Sequence, residues 1–239
     1  MNRLLRWMLA LPGVMALSAC LVTPGKFDSS LDIRADRSFS FAYKGEVIAS
    51  DSGKGAMGIP EPASEDEEAA PAQLLQIATE KFDSEADNGD DAQMRAIAEA
   101  LTKEKGFKSV RYMGNRIFDI DYAISGRLTH AFLFPFNIDA QIVLPFVAVE
   151  LRGDDRVRVK APGFANGFDK SQGPSLGAGG PGEAAAKALN GSFTLTSDAE
   201  IISQNQEDGA QTAANGKRIV WRVTPLTSEA PAATLRLQR

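Results

Sequence analysis

Apolar residues recur at every second position through much of this chain, and that period commits it to half-buried β-strands. Leu31 and Ile33 alternate with polar neighbours, as do Phe39, Phe41 and Tyr43, and Ala35-Asp36-Arg37 between them reads as a hairpin turn. Phe107 to Tyr112 forms another strand, closed by a Gly114-Asn115 turn, and Ile117 to Ile124 places Phe118, Ile120, Tyr122 and Ile124 on one face. Val157, Val159 and Ala161 alternate with Arg156, Arg158 and Lys160, which gives a strand with a basic outer side. Leu128 to Phe134 and Gln141 to Leu151 are more continuously apolar, as strands covered on both sides would be. Ser192 to Thr196, Ala199 to Ile202, Arg218 to Val223 and Thr234 to Leu237 complete the set, with Glu207 to Gly216 read as a mobile hairpin loop. Strands with one apolar side need a second layer to bury it. At 239 residues and 44% apolar composition the chain has the means to build one.

Two stretches depart from that period. Glu61 to Asp91 holds 11 acidic residues against the single base Lys81, and it leads into helical spacing. Leu74, Leu75, Ala78 and Phe82 share one helical face, and Met94, Ile97, Ala98 and Leu101 share another, with Asp90 or Asp91 as a cap and Gly106 as a stop. Pro162 to Gly182 carries seven Gly and three Pro in 21 residues, the composition of a long flexible loop, and Glu183 to Leu189 follows as one or two helical turns. The expected fold class is therefore α+β: a mainly antiparallel β-sheet with two amphipathic helices inserted after an N-terminal hairpin. The domain runs over 27–239, with an acidic helical insert at 61–106 and the Gly/Pro-rich loop at 162–182. Antiparallel pairing is expected because most connections are too short for parallel crossovers.

The N-terminus reads as an export signal. Arg3 and Arg6 precede a short apolar run from Trp7 to Leu17, too short to span a bilayer. The segment ends in Leu17-Ser18-Ala19-Cys20, and Cys20 is the only cysteine in the protein. This end resembles the lipobox of bacterial lipoproteins: an aliphatic residue, two small ones, then cysteine. The resemblance implies a signal peptide at 1–19, a diacylglyceryl group on the Cys20 thiol, and Cys20 as the mature N-terminus. Residues 20–26 are then expected to be a short tether. In enteric bacteria an Asp after the cysteine resembles an inner-membrane retention signal, so Leu21 in that place favours the outer membrane. No cysteine is left for a disulfide, so packing must supply stability. Asn137, Asp139, Gln141 and Glu150 bar the apolar stretch Ala131 to Leu151 from hydrocarbon.

The residues that carry chemistry are few. Gly173-Pro174-Ser175-Leu176-Gly177 matches the nucleophile-elbow pattern, but it lies in Gly/Pro-rich loop, and the one histidine, His130, precedes it. His130 reads as a strand-end residue. Asp83, Glu85 and Asp87 suggest a calcium loop, but Gly89 and Met94 fall at the wrong positions for an EF-hand. Asp119 and Asp121 read as the solvent side of a strand. Phe132, Phe134 and Phe136 read as core, the alternative being an acyl-chain or glycolipid pocket between sheet and helices. No catalytic residue, metal set or cofactor motif emerges. A net charge of −5 disfavours a nucleic-acid partner. Arg152, Arg156, Arg158 and Lys160 form a basic stripe that could contact anionic head groups near a membrane.

Beyond the lipobox, the body resembles the LppM-like lipoproteins. The shared plan is a strand pair soon after the cysteine (Leu31-Asp32-Ile33-Arg34-Ala35-Asp36 and onward), a helical insert, more strands, and a late Trp-bearing strand, Arg218-Ile219-Val220-Trp221-Arg222-Val223. The resemblance implies an anchored domain that binds membrane lipids or glycolipids, and it carries over no catalytic residue. The expected function is a non-enzymatic envelope lipoprotein facing the periplasm that binds a lipid, glycolipid or envelope protein. The alternatives are an assembly subunit docking through its acidic insert and an envelope hydrolase using paired carboxylates.

Overall fold

Side-chain alternation along the chain resolves into two packed sheets in a computed structural model that describes residues 21–50, 91–135, 145–166 and 187–238. Strands β1 (Leu21–Ile33) and β2 (Ser38–Ser50) form a long antiparallel hairpin. Helix α1 (residues 91–102) follows, then β3 (Phe107–Tyr112) and β4 (Ile117–Arg127). The short β5 (Phe132–Phe134), β6 (Val147–Arg152) and β7 (Arg156–Lys160) come next. After a 3-10 turn at Pro162–Phe164 the chain continues through β8 (Asn190–Ser197), β9 (Glu200–Gln204), β10 (Gln211–Ala213), β11 (Gly216–Val223) and β12 (Ala232–Arg236). One sheet has seven strands in the order β10-β11-β8-β1-β2-β4-β3, and the other has five in the order β5-β6-β7-β12-β9.

The inner faces meet in a layer of aromatic rings. Phe41 lies 4.9 Å from Phe134, Tyr43 5.8 Å from Phe146, and Phe193 5.5 Å from Phe164. Each such ring contributes about 1.5–3 kcal/mol by burial, and each pair roughly 0.5–1.5 kcal/mol more. Tyr43 enters this layer at no hydrogen-bonding loss, because its hydroxyl donates to the Glu46 carbonyl at 2.7 Å. Burial pushes its phenol well above the ordinary tyrosine range, so it stays neutral. Phe27 of β1 stands between two glycines, Gly45 on β2 and Gly191 on β8. A Cβ at either glycine would fall 2.2 Å from a backbone oxygen, so only glycine permits this approach. The ring of Phe27 stacks on Phe164 at 4.2 Å.

Helix α1 answers the second helical pattern. Strong helix formers fill it, Met94 and Ala98 are buried in the common core, and Ile97 and Leu101 pack against that core half-buried. The first pattern, Leu74 to Phe82, lies outside the described residues. So do the signal segment through Cys20, the acidic run 61–90, and 167–186 of the Gly/Pro-rich stretch.

Several expectations are corrected. Leu21 to Lys26 is not a tether but the first half of β1: Leu21 to Pro24 pairs with β2, and Lys26 stands opposite Asn190 of β8. Pairing is mainly antiparallel, as expected, with one exception among the described strands: β1 and β8 run parallel, Lys26 opposite Asn190 through Ile33 opposite Ser197. The short-connection argument holds for neighbours in sequence, and these two strands are far apart in the chain. The loop Glu207 to Gly216 contains β10, a three-residue edge strand too short to show a period. Leu128 to Phe134 is a strand only over its last three residues. Leu128 is buried where the chain passes from one sheet to the other, and β5 is an edge strand with Leu133 facing out. Pro162 to Phe164 opens the Gly/Pro-rich stretch as an ordered turn, with Phe164 sealed between the sheets.

Candidate functional site

The outer face of the five-stranded sheet gathers the predicted basic residues. Alternation on β7 buries Val157 and Val159 and turns Arg156, Arg158 and Lys160 outward. Register then adds neighbours from both flanking strands. Arg152 on β6 and Arg236 on β12 both stand opposite Arg156, forming a row of three arginines across three strands. The next row is Glu150, Arg158 and Thr234, and the one after it Ala148, Lys160 and Ala232. Glu150 bonds Arg152, and Glu200 holds Arg236 at 2.9 Å. No ion pair reaches Arg156, Arg158 or Lys160 among the described residues. Like charges directly opposite one another destabilise a sheet, and the carboxylates on Arg152 and Arg236 offset that cost while Arg156 between them has none.

All four predicted residues thus share one face, and the structure adds Arg236. Sequence reasoning passed over it because its strand lies some 76 positions beyond Lys160, although the alternation Thr234-Leu235-Arg236-Leu237 marks it as outward. The arginine row lies beside the β1–β2 turn. Arg37 donates to the Asp154 carbonyl, Leu237 N to Asp155 O at 2.6 Å, and Gln238 N to Ala35 O at 3.2 Å. A groove of about 710 Å³ opens at the same end, lined by Asp198, Glu200, Lys217 and Arg236.

Other candidates resolve as structure. His130 is exposed, with Nδ1 3.0 Å from Thr129 Oγ1. Asp119 and Asp121 face outward on β4 and pair with Arg111 at 2.5 Å and Lys108 at 3.9 Å. Among the described residues no group of His, Asp or Glu side chains has metal-site geometry, and no helix is long and apolar enough to cross a membrane. Phe132 and Phe134 belong to the packed aromatic layer rather than to an open lipid pocket. Phe136, the Gly173 to Gly177 motif and the Asp83 to Asp87 run lie outside the described residues. A second groove, of about 620 Å³, runs between α1 and β3, floored by Ala98, Val110 and Tyr112 and rimmed by Arg95, Lys103 and Met113.

No family model matches the chain, and no curated protein does. Among solved structures it is similar to the folded domain of the Mycobacterium tuberculosis LppM protein, determined by NMR. The match covers 92% of this chain and 93% of that one, at 12% identity and a TM-score of 0.34. No residue role is carried across at that distance.

Proposed function

We propose that this chain is a lipid-anchored, non-enzymatic lipoprotein of the bacterial cell envelope that presents a basic sheet face to an anionic partner. The observation that carries the reading is the sole cysteine at the end of Leu17-Ser18-Ala19-Cys20, one residue before β1 begins. An acyl group on Cys20 would hold the folded domain directly at the bilayer. One chain gives marginal binding, at about 0.8 kcal/mol per buried CH₂, whereas two or three on one residue hold firmly. The domain faces the periplasm, and Leu21 in place of Asp favours the outer membrane. The arginine row lies at the far end of β1, roughly 40 Å from Leu21 at about 3.3 Å per residue. Arg152 and Arg156 therefore serve a partner in the periplasm better than head groups of the anchoring leaflet.

Metabolic labelling with an alkynyl fatty acid in a bacterial host tests the anchor. The wild type is expected to be tagged and Cys20→Ser to be spared. Equal labelling of the two, or none of either, overturns the proposal.

A further inference from the structure

We infer that the turn between β3 and β4, flanked by Met113 at its base, docks into the head-group layer of the bilayer that holds Cys20, with Arg95 beside it for lipid phosphates. This docking rests on the lipoprotein reading and goes beyond it, because an acyl anchor fixes the distance of a domain from the membrane and leaves its orientation open.

Register places the turn level with the start of the fold. Thr23 on β1 stands opposite Ile48 on β2, and Ile48 opposite Ile117 on β4. The Ala49 amide donates to the Arg116 carbonyl at 2.9 Å, which ties the turn to the last residues of β2. β3 is three strands from β1 in the sheet, so the turn lies within roughly 15 Å of Leu21 at about 4.8 Å per strand. An anchor on Cys20 keeps the turn within reach of the bilayer, and docking of the turn would fix the orientation that the anchor leaves open.

The turn is closely braced around Met113. Met113 N donates to Ile117 O at 2.8 Å, and Ile117 N to Gly114 O at 3.0 Å. Gly114, Asn115 and Arg116 all take left-handed backbone, with φ of 86°, 51° and 58°. Below them the Tyr112 hydroxyl bonds Asp91 of α1 and accepts from the Arg116 amide at 3.3 Å. The strained, braced loop leaves Met113 60% exposed. A lone exposed methionine is ordinary on a protein surface. What sets this one apart is its place at the anchored end, beside a groove lined by Glu99 and by the 71% exposed Arg95, whose guanidinium lies 3.7 Å from the Asp91 carboxylate. A flexible apolar side chain beside a cation matches the acyl and phosphate levels of a phospholipid surface. Leu226 is more exposed, at 91%, and its loop heads toward the same end, but that loop leaves β11 at Val223, level with Phe27 and so set back from Leu21.

The test uses the full chain, acylated in a bacterial host and reconstituted into phosphatidylethanolamine–phosphatidylglycerol vesicles. Cys20 is the sole cysteine and carries the lipid, so Met113→Cys or Asp154→Cys offers one free thiol for a bimane label. Trp221 emission matching the wild type verifies the fold of each variant. Brominated phospholipid is expected to quench the label at 113 and to leave the label at 154, on the far turn, unchanged. Equal quenching at both sites, or none at 113, in protein that floats with the vesicles overturns the docking while the anchor stands. Protein that neither incorporates fatty acid nor floats overturns the anchor, and the docking with it.

Discussion

Asp36, at the tip of the β1–β2 hairpin, sets that turn through its carboxylate. Its Oδ1 accepts from the Ser38 hydroxyl at 2.6 Å and the Ser38 amide at 2.8 Å, and these bonds, the hydroxyl's first, hold its pKa below the usual aspartate value of 3.8. A carboxyl whose folded pKa is lowered adds stability above its unfolded value and loses it as pH falls through the lowered one. Ser38→Ala is therefore expected to raise the Asp36 pKa toward 3.8 and to flatten the acid limb of the stability curve. A carbon-13 titration of the side-chain carboxyl reads it, and an unmoved midpoint would count against the hydroxyl's role. Asp32 runs the other way. Burial outweighs the Arg34 guanidinium 2.5 Å away and leaves its carboxyl raised, so its contribution declines as pH rises past the usual value. Asn205 is a third local device, its amide oxygen accepting from Trp221 Nε1 at 3.1 Å and the Ala232 amide at 2.9 Å. That side chain ties the end of β9 to β11 and β12.

At the scale of elements, the contact of β1 with β8 is the one that local pattern does not foretell, and it depends on a missing side chain. Gly191 faces Phe27, and a Cβ there would sit 2.2 Å from the Phe27 carbonyl oxygen, a backbone atom with little freedom to move. Gly191→Ala is expected to cost about 1–3 kcal/mol through strain in that strand pair. Denaturation followed by Trp221 emission measures it, and a midpoint equal to wild type would show that the pair relaxes freely. The basic row shows the opposite economy. Arg156 is flanked by Arg152 and Arg236 with no carboxylate of its own, so Arg156→Thr is expected to raise stability by roughly 0.2–1 kcal/mol. The gain should shrink in high salt as screening removes the repulsion. Thermal melts at low and high ionic strength decide it, and a loss of stability at low salt would contradict the row's cost.

At the scale of the molecule, the two ends of the sandwich differ in what they expose. The end where β1 begins carries the Met113 turn, and the other carries the β1–β2 turn, the arginine row and its groove. The long β1 separates them, so the proposed anchor at one end would leave the other free for a partner. Much of this was legible in sequence. Phe39, Phe41 and Tyr43, like Val157 and Val159, announce strands because side chains in extended backbone alternate sides whatever lies around them. The Leu17 to Cys20 pattern and the outward basic residues of β7 are equally local. Which sheet each strand joined was not local. β9 and β11 follow each other with β10 between, yet they lie in different sheets, and β8 pairs in parallel with a strand some 160 residues earlier. Those choices are made by the free energy of closing two apolar faces on each other, a property of the assembled surfaces that no short window holds. Sequence by itself therefore determined most of the strands, though not β10 or the first half of β1, with their inner and outer residues, and the lone cysteine near the chain's start. Tertiary structure alone decided that Arg236 joins Arg152 and Arg156 and that Met113 stands level with the first residues of β1, because register between distant strands is set only when they meet.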